Sequence, residues 1–524
     1  MKESLSHLKT PEAWLSELWN RIPSYIRLTF ASSVILGLAT HLYVFTNKFT
    51  NHDDLDQMFF ASYGTPSGRW LLPFALRLDG EFSMPWLIGI LSILCLAGVA
   101  CFTVSILRIR RPFGCVAASA IVTAFPTVAS TFAYMFTAYA YFLALLLAAF
   151  GAYAAVRWGW PGSALGTVAI TLSLGIYQSY FPVAAVLMVG ALLLETLDGN
   201  RSFKELLLRG LRFVATLIAP MAAYLVVVRF TTMDIGLTDY HGISDMGQIS
   251  LKDLPTLVYK GYEKCLSFFL KNDLGWHFSF LKYGFAAIVL CCVVLGVLLL
   301  RKRRLDPARI ALAVVLVAVY PLAASLIYVM VPSGYVHGVM IYGFAYLLLL
   351  PIALADYAED HLKTGPGAPL QAAAAWIILL TVSVAAYSYA VTDNSAYLKA
   401  DLGMRQCVAY SNRLVERAES CEGYRPGMDL VLLGSIVEDP WLSPTPELDG
   451  VSVTGILDLR GLRTSWTYDR FLRYYLGYTG NIYTSFHRDS DVYAAMDEVK
   501  AMPCYPQEGS VRVIGNAVVV KLNG

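Results

Sequence analysis

Long apolar runs, each bounded by polar or basic residues, constrain this chain more than any motif in it. A helix needs about 20 mostly apolar residues to cross the hydrocarbon layer of a membrane. The clearest such segments are 28–46, 84–107, 114–131, 134–156, 163–179, 181–197, 213–229, 280–300, 309–331, 338–357 and 371–391. They predict a polytopic α-helical membrane protein with about eleven transmembrane helices. Composition agrees: 57% of the residues are hydrophobic and 15% charged, where a soluble domain carries about a quarter charged. That balance excludes a disordered chain, a disulfide-dense secreted module and a coiled coil. A formal net charge of +2 gives no electrostatic case for nucleic acid as a partner.

The few charges are segregated along the chain. Arg108, Arg110 and Arg111, then Arg157, then Arg201, Lys204, Arg209 and Arg212, then Arg301 to Arg304 fall on alternate loops. The short loops between them, near Ala133, Tyr180 and Gly334, hold no Lys or Arg. The positive-inside rule then puts the N-terminus in the cytoplasm, and an odd number of spans puts the C-terminus outside. Residues 1–27 read as a cytoplasmic interfacial segment, with Trp14, Leu15, Leu18, Trp19 and Ile22 on one amphipathic face. Residues 28–391 form the transmembrane domain, with outer loops at 47–83 and 230–279. Residues 392–524 read as a small C-terminal α/β domain outside the cytoplasm. There, apolar residues at helical spacing over 396–417 precede a β-branched run at 429–437. Two further runs flanking Gly515-Asn516 predict a hairpin with a two-residue turn. Among the nine cysteines, those outside the spans could be oxidised. Cys421 precedes the first tail strand and Cys504 the hairpin, so Cys421–Cys504 is the preferred pairing. No His/Cys spacing resembles a zinc site.

The stretch Asn51-His52-Asp53-Asp54-Leu55-Asp56-Gln57, just outside the first span, carries the chemistry. Adjacent acids at a lipid boundary raise at least one pKa, which suits a general base. The plainer alternative is that Asp53 or Asp54 caps a helix over 55–62 while the others are solvated. Gly68-Arg69-Trp70 follows in the same loop; Arg69 could clamp a phosphate or simply anchor the next helix. Tyr177-Gln178 ends the fifth segment at the outer boundary, where an aromatic belt would explain the tyrosine but not the amide. Tyr240, His241, Lys260, Lys264, Lys271 and His277 add donors in the second loop. The spans are otherwise nearly free of charge: Glu195 and Arg229 sit near span ends, and His41 reads as a neutral packed side chain.

Taken together, the Asp-Asp pair after the first span, the Gly-Arg-Trp before the second and the Tyr-Gln-Ser-Tyr at a later outer helix end resemble the Gtr-type glucosyltransferase II family. Its members modify bacterial O-antigen and belong to the GT-C class of membrane glycosyltransferases. The resemblance covers about the first 390 residues, and the tail is similar only in position. It implies transfer of a sugar, usually glucose, from a polyprenyl phosphate donor to a cell-surface glycan such as O-antigen in lipopolysaccharide. The reaction would lie on the periplasmic side of the bacterial cytoplasmic membrane. The family's catalytic acids fall on Asp53 and Asp54, with His52, Asp56 and Trp70 as auxiliaries. Its donor-binding residues fall on Arg69, Tyr177 and Gln178, and the loop residues Tyr240, His241 and Lys264 are further candidates. Such a reaction needs no cofactor; Mg²⁺ or Mn²⁺ is compatible with the acid cluster but not required.

The chemistry suits a lipid-borne substrate. The reacting carbon of a lipid-linked sugar must sit at the membrane boundary, where a carboxylate can take the proton of the acceptor hydroxyl. The phosphate monoester that leaves is already anionic and needs a cation more than an acid. A flippase for lipid-linked saccharide, which would carry polar residues through its spans, and a non-catalytic partner in polysaccharide assembly are the competing classes.

Overall fold

The computed structural model describes residues 10–60, 65–233, 252–332, 335–434, 445–464 and 466–523. Among the described residues nine helices are long and apolar enough to cross a membrane. They are Ser24–Thr46, Pro85–Ile106, Pro112–Phe132, Met135–Arg157, Gln178–Asp198, Phe203–Thr231, Leu281–Arg303, Pro307–Ala324 and Ala368–Glu419. The other two expected segments are helices with weaker credentials. Gly159–Ile176 is diluted by Gly, Ser and Thr, and Tyr346–Leu362 is only 17 residues long. Two 3₁₀ turns, Gly338–Met340 and Tyr342–Ala345, take the place of the latter's first turns.

Ahead of the first span, Pro11–Arg21 is a separate helix capped by the Thr10 hydroxyl, with Trp14, Leu15, Leu18 and Trp19 exposed. His41 is fully buried: Nε2 faces the Thr123 carbonyl at 2.8 Å and Nδ1 the Tyr397 hydroxyl at 2.7 Å. This fits a neutral ring donating from Nε2 and accepting at Nδ1. Glu195 differs from its expected place at a wet helix end. It is buried and held by Arg209, whose Nη2 donates to Oε1 at 2.7 Å.

The sequence put a domain boundary at 391/392, but Ala368–Glu419 is one uninterrupted helix of 52 residues. At 1.5 Å per residue it is about 78 Å long, more than twice the hydrocarbon thickness. Its second half therefore serves as a core helix of the tail, contributing Met404, Cys407, Tyr410, Leu414 and Ala418. Asp393, counted in the tail by that boundary, sits inside the helix, fully buried, with neither oxygen hydrogen-bonded among the described residues.

The rest of the tail builds a four-stranded sheet in the order β2-β1-β4-β3. β1 (Asp429–Leu433) runs parallel to β2 (Ile482–Tyr483) and to β4 (Ala517–Lys521). β3 (Val511–Ile514) pairs antiparallel with β4 across the Gly515-Asn516 turn, as the sequence predicted. Alternation in β1 sends Leu430 and Leu432 to one face and Val431 and Leu433 to the other. The first face packs on the long helix and on Tyr468–Leu476. The second packs on Val499 and Met502. The expected Cys421–Cys504 bond is not formed. All nine cysteines are free, and the Cys421 thiol instead points at the Val511 carbonyl, 3.6 Å away.

Candidate active site

The acid stretch folds as a single helical turn, His52–Asp56, capped by Asn51 rather than by an aspartate. The Asn51 Oδ1 accepts the Asp54 backbone N–H at 2.9 Å, and its Nδ2 donates to the Ala133 and Gly455 carbonyls at 2.8 and 3.2 Å. Successive residues on a helix point about 100° apart, so one turn sends its three carboxylates in three directions.

Asp54 points inward and is fully buried. It pairs with Lys48 and accepts from the Ser83 hydroxyl at 2.5 Å, the Thr50 hydroxyl at 3.2 Å and the Phe136 backbone N–H at 3.2 Å. Its lone pairs are committed, which describes a structural carboxylate. Asp56 pairs with Arg470 from the tail. Asp53 keeps a side chain 24% exposed, with His52 Nε2 at 3.5 Å from Oδ1. Burial, with the nearby charges of Asp56 and Asp54, pushes its carboxyl above the ordinary range against the pull of His52 and Arg69. Of the two acids predicted to be catalytic, Asp53 is partly exposed with a raised pKa, as a general base requires, whereas Asp54 is fully buried with its oxygens engaged in hydrogen bonds.

The Arg69 turn is pinned from below. Gly68 has φ of +73°, and a Cβ there would lie 2.6 Å from the Tyr224 hydroxyl oxygen. Gln178, predicted as a sugar ligand, is buried: its Nε2 donates to the Tyr224 hydroxyl at 2.7 Å and the Ser67 carbonyl at 3.3 Å. It braces the turn. Trp70 packs flat on Gly175, where a Cβ would be 2.6 Å from the indole, and the Leu71 N–H donates to the Gly175 carbonyl at 2.8 Å. The Arg69 guanidinium, 5.2 Å from the Tyr177 ring centre, donates from Nη1 to the Tyr141 hydroxyl at 2.8 Å. Tyr141 and Tyr177 stack at 4.0 Å with 6° between their planes. A guanidinium whose face is held against stacked rings is ordered, and such a group takes an anion through its N–H edge.

Tyr240 and His241 lie outside the described residues. Lys264, on the helix Leu254–Leu266, borders a cavity of about 110 Å³ with Trp276, Tyr328 and Tyr335, its Nζ 3.3 Å from Glu263. His277 is not an outward donor: it is buried, with its ring nitrogens at the Phe268 and Phe278 carbonyls. No group of three or more His, Cys, Asp or Glu is arranged to hold a metal ion among the described residues. The supporting residues Lys48, Thr50, Ser83, Tyr141, Tyr224 and Arg470 were not foreseen. Only Lys48 carried a signal, as a cation directly after the first span and a few positions before the acid stretch.

The loop after the first span thus brings a partly exposed carboxylate and an aromatic-held arginine onto a protein of many membrane-length helices. Comparison with known families then places it: the profile described as Glucosyl transferase GtrII matches residues 42–349, well over half the chain. The chain belongs to the GtrII glucosyltransferase family, and it is therefore a glycosyltransferase with membrane-spanning helices. No curated protein and no solved structure matches it.

Proposed function

We propose that the protein transfers glucose from a polyprenyl-phosphate donor to a cell-surface glycan such as O-antigen, on the outer side of the bacterial cytoplasmic membrane. It does so as a GT-C-type enzyme of eleven spans, with the N-terminus cytoplasmic and the C-terminal α/β domain periplasmic. Asp53 takes the proton of the acceptor hydroxyl as its oxygen attacks the anomeric carbon. The bond from that carbon to the phosphate oxygen breaks, its electron pair leaves with the polyprenyl phosphate, and the anomeric centre inverts. Arg69 stabilises the leaving phosphate, while Tyr141 and Tyr177 hold Arg69. Asp54 fixes the acid turn.

The observation that supports this reading best is the pairing of a partly exposed, pKa-raised Asp53 with Arg69 within electrostatic reach on one loop of a GtrII chain. The test uses purified protein in liposomes carrying a lipopolysaccharide acceptor. Polyprenyl-phosphate-linked glucose should yield glucosylated acceptor, and nucleotide-linked glucose should not. Movement of the sugar lipid across the bilayer without product would overturn the reading in favour of a flippase.

A further inference from the structure

A five-residue helix has too few hydrogen bonds to persist alone, so whatever holds His52–Asp56 decides where Asp53 points. The membrane domain supplies part of the grip, through Lys48 and Ser83 on Asp54 and the Ala133 carbonyl on Asn51. The remainder comes from the tail, about 400 residues later and outside the family match at 42–349. At the N-terminal end the Gly455 carbonyl accepts from Asn51 Nδ2 at 3.2 Å. At the C-terminal end Arg470 pairs with Asp56, itself steadied by Trp466, whose ring centre lies 5.5 Å from the guanidinium. Between the ends, Leu55 and Met58 are buried in the tail's own core with Phe471 and Leu472. Just beyond, the Tyr474 ring meets Phe59 edge-on at 5.1 Å.

The grip also runs the other way. Val453 of the tail is buried in the core of the membrane domain, with Val451 and Ile456 packed against it. The Trp276 indole donates to the Ser452 carbonyl at 2.8 Å, and Thr454 accepts the Gly338 N–H at 3.1 Å. The acid helix is thus clamped at both ends and along one face by the tail.

From this geometry we infer that the C-terminal domain is a working part of the active site, with Arg470 as a positioning residue that holds the helix bearing Asp53 and neutralises Asp56 beside it. The inference rests on the reading of Asp53 as the base. Asp53 and Asp56 are three apart on one helical turn, which puts their Cβ atoms about 5–6 Å from each other. The charges that face Asp53 are His52, Asp54 and Asp56 on its own helix, Arg69 on the neighbouring turn, and through their partners Lys48 and Arg470. Removing Arg470 leaves Asp56 uncompensated and makes Asp53 harder to ionise. Asp53 is active when ionised, so the acid limb of the rate profile moves to higher pH.

The experiment measures kcat/KM against pH for full-length protein in liposomes, with polyprenyl-phosphate-linked glucose as the probe. The variants are R470M, R470K, D56N, R470M/D56N and D53N, each corrected for folded protein. R470M should lose about tenfold in kcat and shift its acid limb up by about half to one pH unit. R470K should keep the limb near that of wild type, D56N should lower it, and the double variant should bring it back. If R470M fails to fold, D56N and the double variant carry the test. A D56N limb at the wild-type position, a double variant whose limb stays with that of D56N, or an R470M with wild-type kcat and limb, overturns the inference. D53N separates the two claims: if D53N is inactive while one of those outcomes is found, the tail's role fails and the base stands. If D53N is fully active, the base reading itself fails.

Discussion

Two short segments of one loop, the acid turn around 51–58 and the arginine turn around 67–71, are held by different parts of the protein. Among the described residues the arginine turn is braced by Tyr141, Gln178, Tyr224 and Gly175 of the membrane helices, all within the family-matched range. The acid turn is shared between the membrane domain and the tail, through Asp54–Lys48 on one side and Asp56–Arg470 on the other. The difference teaches that the contacts described for the arginine turn come from the membrane helices, while the acid turn also draws on the tail. It also separates two neighbouring acids that look equivalent in the sequence.

The largest effect that would break the comparison lies in the Asp54 site. Lys48→Met leaves a fully buried carboxylate without its cation, a loss of about 3–5 kcal/mol when one partner of a buried pair is removed. Thermal unfolding in detergent should show it, and K48M/D54N should recover much of the loss. An unchanged unfolding temperature for K48M would mean that Asp54 does not anchor the turn.

On the arginine side, Arg69→Ala should lower kcat/KM for the lipid-linked donor about 100-fold, the scale of losing one stabiliser of transition-state charge. Its unfolding temperature should move far less than that of K48M. Steady-state kinetics with unaltered kcat/KM would remove Arg69 from the site. Gly68→Ala forces a non-glycine residue to positive φ and into the Tyr224 hydroxyl. A tenfold loss in kcat/KM is expected, about 1.4 kcal/mol, with partial recovery in G68A/Y224F. Recovery to no extent would mean that the Tyr224 contact does not set the position of Arg69.

The smallest effect is in pH. A base whose pKa is raised works above that value, and the rate falls as pH drops through it. The wild-type acid limb of kcat/KM should therefore lie above about 3.9, the ordinary aspartate value. A limb at or below that value would place the base in a better-solvated carboxylate.

Much of the fold was readable because run length and turn chemistry are local. Apolar segments of span length became helices, and the Gly515-Asn516 turn between β-branched runs became a hairpin. The structure also brings the motifs together: Arg69 sits against Tyr177, while Gln178, expected to bind the donor, is buried and supports the turn that carries Arg69. What stayed hidden is non-local or directional. Asp53 and Asp54 differ only in which way one helical turn faces, and the partner of Asp56 is 414 positions away. The Cys421–Cys504 pairing failed because the strands that follow the two cysteines, β1 and β3, are separated in the sheet by β4, an order the sequence does not show. The boundary at 391/392 falls inside one continuous helix, because a helix need not break where its apolar run ends.

The central claim is that Asp53 takes the proton and Asp54 holds the turn. The most direct measurement is sugar transfer from polyprenyl-phosphate-linked glucose by purified D53N and D54N in liposomes, each rate divided by the amount of folded protein. D53N should fold as wild type and lose about 10²–10⁴-fold in rate, the range for a general base. D54N should fold poorly but keep most of its rate per folded molecule. A D53N protein with wild-type transfer, or a well-folded D54N protein with none, would contradict the account.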